Sequence, residues 1–399
     1  MDIERIRKEL TRLDLDGWLL YDFQGINPIA REIAGLSEIF LTRRWFCLIR
    51  REGSPTWLVS RIERGQFANV QGEVRAYLSW SDLQQQLNDV LGGCKAVAME
   101  YAPDGAIPYI SRVDGGTLEM VAAADVELVS SADLIQWCQA RWSTQQLATH
   151  MEASRHLNTA RELAFRFIGE SIRDARRITE YDVQQKILEF FAQNNLVTSS
   201  PPIVAVGRNA ADPHYQPNEK RTSVIEESDL VLVDLWAKLS SPNAVYADIT
   251  WMGYVGERIP EDLARIFHVV TAARDAAVKF VQAAVSGERE IRGYEVDDVS
   301  RKVIADAGFG DKFIHRTGHS IGTDDHGTAV NFDNFETHDE RVVIPDICCS
   351  VEPGIYLDLF GMRSEVDIFI GERTAEVTTM PMQYHIVPLL RINETTGAY

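Results

Sequence analysis

Cysteine is scarce in this sequence: Cys47, Cys94, Cys138, Cys348 and Cys349 are five among 399 residues. The number is odd, no Cys-x-x-Cys pair occurs, and no Cys/His cluster has zinc-finger spacing. That argues against a disulfide framework and a thiolate zinc site, and reduced thiols in a cytoplasmic protein are expected. Long apolar runs are missing too; none approaches the roughly 20 residues that cross a bilayer. The opening MDIERIRKEL is charged from its second residue and lacks the apolar core of a signal peptide. Basic charge is in deficit, 40 Lys and Arg against 59 Asp and Glu, for a formal charge of −19. Such a field repels phosphate backbones. Neither a nucleic acid nor a membrane is expected as a partner.

The length suits two domains better than one. Ile3, Ile6, Leu10 and Leu13 recur at helical spacing. Strand-like runs follow at Gly17–Tyr21, Trp45–Arg50, Thr56–Ser60 and Ala96–Glu100, with helical stretches between. That alternation predicts a small α/β domain over residues 1–140, in which no chemical constellation stands out. The boundary falls near residues 130–145. Beyond it a long helix is expected, with Leu147, Met151, Leu157, Ala160, Ala164 and Phe167 inward. Thr179-x-x-Asp182 reads as a capping box before a second helix. A third runs from Asp262 to Val285 and ends at Ser286-Gly287. The rest is strand-like with turn punctuation. Residues 141–399 therefore read as an α+β domain, with helices over one face of a mostly antiparallel sheet.

Charge sits where apolar residues belong. Leu230-Val231-Leu232-Val233-Asp234-Leu235-Trp236 reads as a buried strand with an aspartate inside it, and Val245–Trp251 does the same with Asp248. Cys348-Cys349-Ser350-Val351-Glu352 and Ser364-Glu365-Val366-Asp367-Ile368 are two more. A lone ionised carboxylate in a dry core is prohibitively costly, so each needs a partner. Arginine or lysine pairing serves for one such residue. For four it does not, because these strands carry few basic residues, whereas a shared divalent cluster satisfies all at once. Oxygen ligands with one imidazole favour Mn²⁺, Co²⁺ or Fe²⁺. The imidazole stands in Gly318-His319-Ser320-Ile321-Gly322, between the aspartate pair and the glutamate pair. Glycines on both sides let backbone and ligand come close.

The ordered set Asp234, Asp248, Gly318-His319-Ser320-Ile321-Gly322, Val351-Glu352-Pro353-Gly354-Ile355-Tyr356 and Arg363-Ser364-Glu365 resembles the prolidase, aminopeptidase P and creatinase family of metallopeptidases. The resemblance covers nearly the whole chain. It implies a pita-bread catalytic domain preceded by a smaller, creatinase-like α/β domain. It also implies two divalent ions, Mn²⁺ foremost with Co²⁺, Zn²⁺ or Fe²⁺ as alternatives, held by Asp234, Asp248, His319, Glu352 and Glu365. By the same likeness Asp248 and Glu365 bridge the ions, Glu352 handles protons, and His214 and His326 line the active site. Arg363 orients carboxylates.

The implied activity is hydrolysis of small peptides with proline second, in a homodimer. It looks closest to bacterial Xaa-Pro dipeptidases. A longer-peptide aminopeptidase, a creatinase-type C–N hydrolase and a non-enzymatic binding module are the alternatives. A dipeptidase needs a cation for its substrate's free carboxylate, for which Arg341 and Arg363 are candidates. There are departures from the pattern. Asp234 and Asp248 stand fourteen positions apart, longer than in most relatives, which predicts a longer hairpin around Ser240–Asn243. Pro345-Asp346 stands where Pro-Gly is common, and Trp251 where many relatives have arginine.

Overall fold

The computed structural model describes residues 1–391. They fall into two compact units, Met1–Arg141 and a second that begins at Trp142. In the first, strands β1 (Gly17–Asp22), β2 (Trp45–Arg50), β3 (Thr56–Ser60), β4 (Glu73–Tyr77), β5 (Ala96–Met99) and β6 (Glu127–Ser130) form one sheet in the order β4-β3-β2-β1-β5-β6. Side chains alternate across it. Trp18, Leu20, Trp45, Cys47 and Trp57 pack with Ile6 and Leu10 of α1 (Ile3–Arg12) and Ile29 of α2 (Pro28–Ala34). Leu19, Tyr21, Phe46 and Leu58 pack with Leu83 and Leu87 of α3 (Trp80–Leu91) and Val121 of α4 (Gly115–Ala122). A short α5 (Ala132–Ile135) follows. Because both faces are covered, the central strands read as unbroken apolar runs rather than as alternating ones.

One buried acid in this unit escaped the sequence reading. Glu100, just past β5, accepts hydrogen bonds from Trp18 Nε1 (2.6 Å), Ser131 Oγ (3.1 Å) and Asn27 Nδ2 (2.7 Å). Asn27 in turn caps α2 through Ala30 N. Burial raises the Glu100 carboxyl from 4.5 to about 7. The fold therefore favours its protonated form. The stability that this proton contributes is complete below pH 4.5 and lost as pH rises toward about 7. Glu100→Ala should cost about 2–4 kcal/mol by stranding three donors. It should also flatten the pH dependence of the denaturation midpoint across that window. An unchanged pH slope in the variant would contradict this.

The second unit opens with α6 (Thr144–Arg173) and α7 (Glu180–Gln193), then β7 (Leu196–Val197), β8 (Ile203–Val206) and the long hairpin β9 (Leu230–Leu239) and β10 (Ala247–Tyr254). Helices α8 (Glu261–Ser286) and α9 (Gly293–Asp306) follow. The remaining strands are β11 (Ser320–Ile321), β12 (Ile347–Val351), the hairpin β13 (Gly354–Tyr356) and β14 (Gly361–Arg363), then β15 (Val366–Ile370), β16 (Ala375–Val377) and β17 (Val387–Pro388). One sheet runs β17-β10-β9-β7 with β8 also on β9, and a second runs β11-β12-β15-β16. Pairing is antiparallel except for β10 with β17. This is the pita-bread architecture, an α+β fold. Among the described residues no helix is long and apolar enough to cross a membrane.

The Thr179–Asp182 capping box forms as expected, Thr179 N donating to Asp182 Oδ2 at 2.8 Å. The inward face of α6 differs from expectation. Met151 is exposed, while His150, Ser154, Asn158 and Arg161 are buried beside Leu157, Ala160 and Ala164. Apolar periodicity misses this seam because each polar group finds a distant partner. His150 Nε2 meets Thr378 Oγ1 (2.6 Å), Ser154 Oγ donates to Thr378 O (3.0 Å), and Asn158 Nδ2 donates to Met380 O (3.1 Å). Arg161 lies over the Trp251 ring, 3.8 Å from its centroid.

Candidate metal centre

Strand alternation places the two aspartates. On β9 and β10, Val231, Val233, Leu235, Ile249 and Trp251 pack into the core beneath α6 and α7. Leu232, Trp236 and Met252 point the other way, into the core beneath α8. Asp234, Asp248 and Thr250 share their parity and therefore that face. The register pairs Thr250 with Asp234 and Asp248 with Trp236, so the longer turn around Pro242 leaves both strands in phase. Trp251 points to the helix layer and stacks on Arg161, away from the carboxylate face.

The two glutamates lie just outside the strands expected to contain them. Glu352 follows the last residue of β12, and Glu365 precedes the first of β15. Backbone bonds fix both, Glu352 N to Thr317 O at 2.7 Å and Glu365 N to Thr250 O at 3.3 Å. His319 precedes β11. Gly318 must be glycine here, because a Cβ would lie 1.9 Å from Ser350 O. Gly322 is under no such constraint, its nearest neighbour standing at 3.6 Å. Asp346, where Pro-Gly was noted as common, has φ +64° and so takes up the left-handed conformation that glycine favours.

These elements gather all five residues that the resemblance marks as ligands. One donor atom each from Asp248, His319 and Glu365 lies within 4.8 Å of the others. His319 Nε2 stands 3.5 Å from Glu352 Oε1 and 3.7 Å from Asp248 Oδ2. Asp234 joins through Arg363, which donates from Nη2 to Asp234 Oδ2 and lies 3.9 Å from Glu352 Oε2 through Nε.

The chemistry of the donors fits a cation. His319 Nδ1 faces Ser320 O at 3.1 Å, and a carbonyl only accepts, so Nδ1 carries the hydrogen. Burial holds the ring neutral, with a pKa lowered to about 3. Nε2 therefore points a lone pair at two carboxyl groups, a contact that repels when both are ionised unless a proton or a cation lies between. Asp248 Oδ1 and Glu365 Oε1 are buried and accept no hydrogen bond among the described residues. Burial, and then repulsion from Glu365, Asp325, Asp234 and Asp367, drives the Asp248 carboxyl well above its usual range. Burial, then Glu352 and Asp234, does the same to Glu365. A divalent ion would relieve both effects.

Around the carboxylates runs a supporting network. Thr250 Oγ1 donates to Glu365 Oε2 (2.7 Å), and Arg363 donates from Nε to Thr250 Oγ1 (3.0 Å) and from Nη1 to Tyr356 OH (3.1 Å). Tyr356 OH also meets His315 Nε2 at 2.8 Å. On the far side Asp367 Oδ2 accepts from Asp248 N (2.8 Å). Tyr356, Thr250, His315 and Asp367 were not singled out from sequence, because their partners come from distant strands. Arg363→Lys keeps the charge but cannot reach Asp234, Thr250 and Tyr356 together. Activity should fall about 10–100-fold. Wild-type kcat/KM in that variant would show that the network does not position the acids.

His326 borders the cluster. The His326 ring centroid is 4.1 Å from that of His319. Arg316 Nη2 lies 3.3 Å from His326 Nδ1, and since arginine only donates, Nδ1 accepts and Nε2 bears the hydrogen. His319, then burial, Arg316 and His214 keep this ring neutral. His214 is exposed and within electrostatic reach of His326. Asp325, unmarked by the sequence reading, adds another carboxyl, raised by burial and then by Asp234 and Glu352 to about 7.

The model of metallopeptidase family M24 matches residues 119–372. An Xaa-Pro dipeptidase of Lactobacillus delbrueckii subsp. lactis is 29% identical over 227 residues, 55% of this chain and 54% of that protein. The match thus spans about half of that relative's length. A probable dipeptidase PepE of Mycobacterium bovis is 28% identical over 305 residues, 72% of this chain and 76% of that protein. Among solved structures, a dipeptidase PepE from Mycobacterium ulcerans superposes with a TM-score of 0.70 at 23% identity, covering 97% of each chain.

Proposed function

The chain belongs to metallopeptidase family M24, and from that premise we propose that it is a metal-dependent Xaa-Pro dipeptidase. Asp234, Asp248, His319, Glu352 and Glu365 would hold two divalent ions, Mn²⁺ foremost. The observation that carries this reading is the contact of His319 Nε2 with Asp248 and Glu352 beside the two unpartnered oxygens of Asp248 and Glu365. Bound divalent ions supply an acidified water and polarise the scissile carbonyl.

The protein's own groups do the rest. Ser350 Oγ donates to Glu352 Oε1 (3.1 Å), which leaves Oε2 to take the proton of the attacking water. From Oε2 the proton passes to the leaving proline nitrogen. His326, with its hydrogen on Nε2, donates to the carbonyl oxygen as negative charge grows there. His214 assists from the rim. A site that asks for no N–H at the scissile nitrogen accepts proline. The cytoplasmic homodimer implied by the resemblance belongs to the same reading.

The test is an assay of metal-stripped protein reloaded with Mn²⁺, Co²⁺ or Zn²⁺ on Ala-Pro, Ala-Pro-Ala and Ala-Ala. Metal-dependent cleavage of Ala-Pro alone is expected. Cleavage of the tripeptide would make it an aminopeptidase, and no cleavage with any metal would refute Xaa-Pro hydrolysis.

A further inference from the structure

His214 stands in the connection between β8 and β9, and a buried carboxylate from another element holds that connection. Glu180 opens α7, between the two residues of its capping box. An acid at the first position of a helix is ordinarily an exposed partner of the helix dipole. Glu180 is instead fully buried. Its Oε1 accepts from Val206 N (2.8 Å) and Asn209 Nδ2 (2.9 Å), and its Oε2 from Tyr215 OH (2.7 Å) and Ser223 N (2.7 Å). All four donors are neutral, and all four come from the end of β8 and the segment that follows it. A hydrogen bond to an ionised acceptor is roughly twice as strong as a neutral one. One side chain thus pins the segment 207–223 at both ends and in its middle.

The middle point is the one beside His214. Tyr215 is fully buried, whereas the His214 side chain is exposed. Arg221 covers the Tyr215 ring at 4.9 Å, and His214 N donates to Asp212 Oδ1 (3.2 Å). The same segment sits against the hairpin that carries Arg363. Arg208 Nη1 donates to Asp358 O (3.2 Å), and a Cβ on Gly361 would lie 2.0 Å from Ala210 O. From this seat His214 is within electrostatic reach of His326, whose ring is 4.1 Å from that of His319.

We propose that Glu180 is a positioning residue, which holds the segment 207–223 so that His214 reaches the substrate carbonyl beside His326. The inference rests on the Xaa-Pro dipeptidase reading, in which His214 acts from the rim. Glu180 touches no substrate. Removing its charge loosens four anchors at once and lets the segment take up other arrangements. The loss falls on the chemical step and not on metal binding, because the strands that carry the aspartates keep their own register.

The test is a double-mutant cycle on Ala-Pro with the Mn²⁺-loaded full chain, comparing wild type, Glu180→Gln, His214→Ala and the pair together. Glutamine keeps the shape of glutamate but turns an amide N–H₂ toward donors. His214→Ala should lower kcat about 10-fold in wild type with KM nearly unchanged, since the contact strengthens as charge grows on the carbonyl oxygen. Glu180→Gln should lower kcat by a similar factor without loss of bound metal. In the Glu180→Gln background His214→Ala should change kcat by less than about twofold, because the imidazole is already out of place. Tyr215→Phe removes one hydroxyl and leaves the other three bonds to Glu180, so it replaces Glu180→Gln in the cycle should that variant not fold. Losses that multiply mark a purely structural acid and overturn the assignment. Wild-type kcat in His214→Ala, or in both Glu180→Gln and Tyr215→Phe, overturns it too, as does a loss of metal in step with kcat. If wild type does not cleave Ala-Pro, the dipeptidase reading falls and the inference with it, whereas cleavage with multiplying losses removes the inference alone.

Discussion

Glu365→Gln is expected to abolish peptide hydrolysis while leaving the protein folded and, in the absence of metal, more stable than wild type. Glutamine has the shape of glutamate and keeps an oxygen for the hydrogen bond from Thr250 Oγ1. What it removes is one negative charge from a buried group of acids. Glu365 has no compensating contact at Oε1 among the described residues, and Glu352 and Asp234 repel it. Neutralising it relieves repulsion that costs the metal-free fold on the order of 1–3 kcal/mol. In the loaded enzyme the same change replaces a ligand oxygen with an amide N–H₂ that repels a cation. Opposite signs on stability and activity distinguish a ligand from a structural acid, whose replacement would lower both. Thermal scans of stripped protein and steady-state kinetics on Ala-Pro read the two effects. Activity near wild type would refute the ligand assignment.

The stripped wild-type protein should lose stability as pH rises, and divalent ions should remove that loss. The carboxyls of Asp248 and Glu365 are raised well above ordinary values of 3.8 and 4.5, and Asp325 is raised to about 7, in each case first by burial. An acid with a raised folded pKa stabilises the fold fully below its unfolded pKa. That contribution disappears as pH climbs through the folded value. The metal-free protein should therefore weaken from about pH 4 through at least pH 7. Metal ions bind the deprotonated acids, so their effect grows in the same direction. At a hundredfold excess over Kd each ion adds about 2.7 kcal/mol. The gap in Tm between Mn²⁺-loaded and EDTA-treated protein should be small near pH 5 and several degrees near pH 8. A gap independent of pH, or none, would contradict an acid cluster built for cations.

Sequence made the anomaly legible because burial and charge conflict within single strands. Asp234 and Asp248 could be read as misplaced from their neighbours alone, and the β9–β10 register follows from where the apolar runs begin and end. The bounds of α8 and the capping box of α7 were local signals of the same kind. Other features depend on partners far away in the chain. His150 looks like a helix residue at a polar position until Thr378 and Tyr246 are brought to it. Glu100 looks like the end of a strand until Trp18, Asn27 and Ser131 converge on it. Arg363 looked available because nothing nearby in sequence shows Asp234 and Thr250 reaching it, whereas the partner of Arg341, Asp339, stands only two residues away. Pairing rules for strands reach only as far as the hairpin, and the contacts of Arg363 with Asp234 and Thr250 join strands of different sheets.

The most direct test of a metal centre at Asp234, Asp248, His319, Glu352 and Glu365 is metal content per chain. Wild type, Glu365→Gln and Asp248→Asn would be equilibrated with Mn²⁺, freed of excess and measured by inductively coupled plasma mass spectrometry. Glu340→Gln, which alters an exposed acid paired with His338, serves as the control. The account predicts about two ions per chain in wild type and control, and a clear loss in both site variants. No retained metal in wild type, or equal metal in all four proteins, would contradict it.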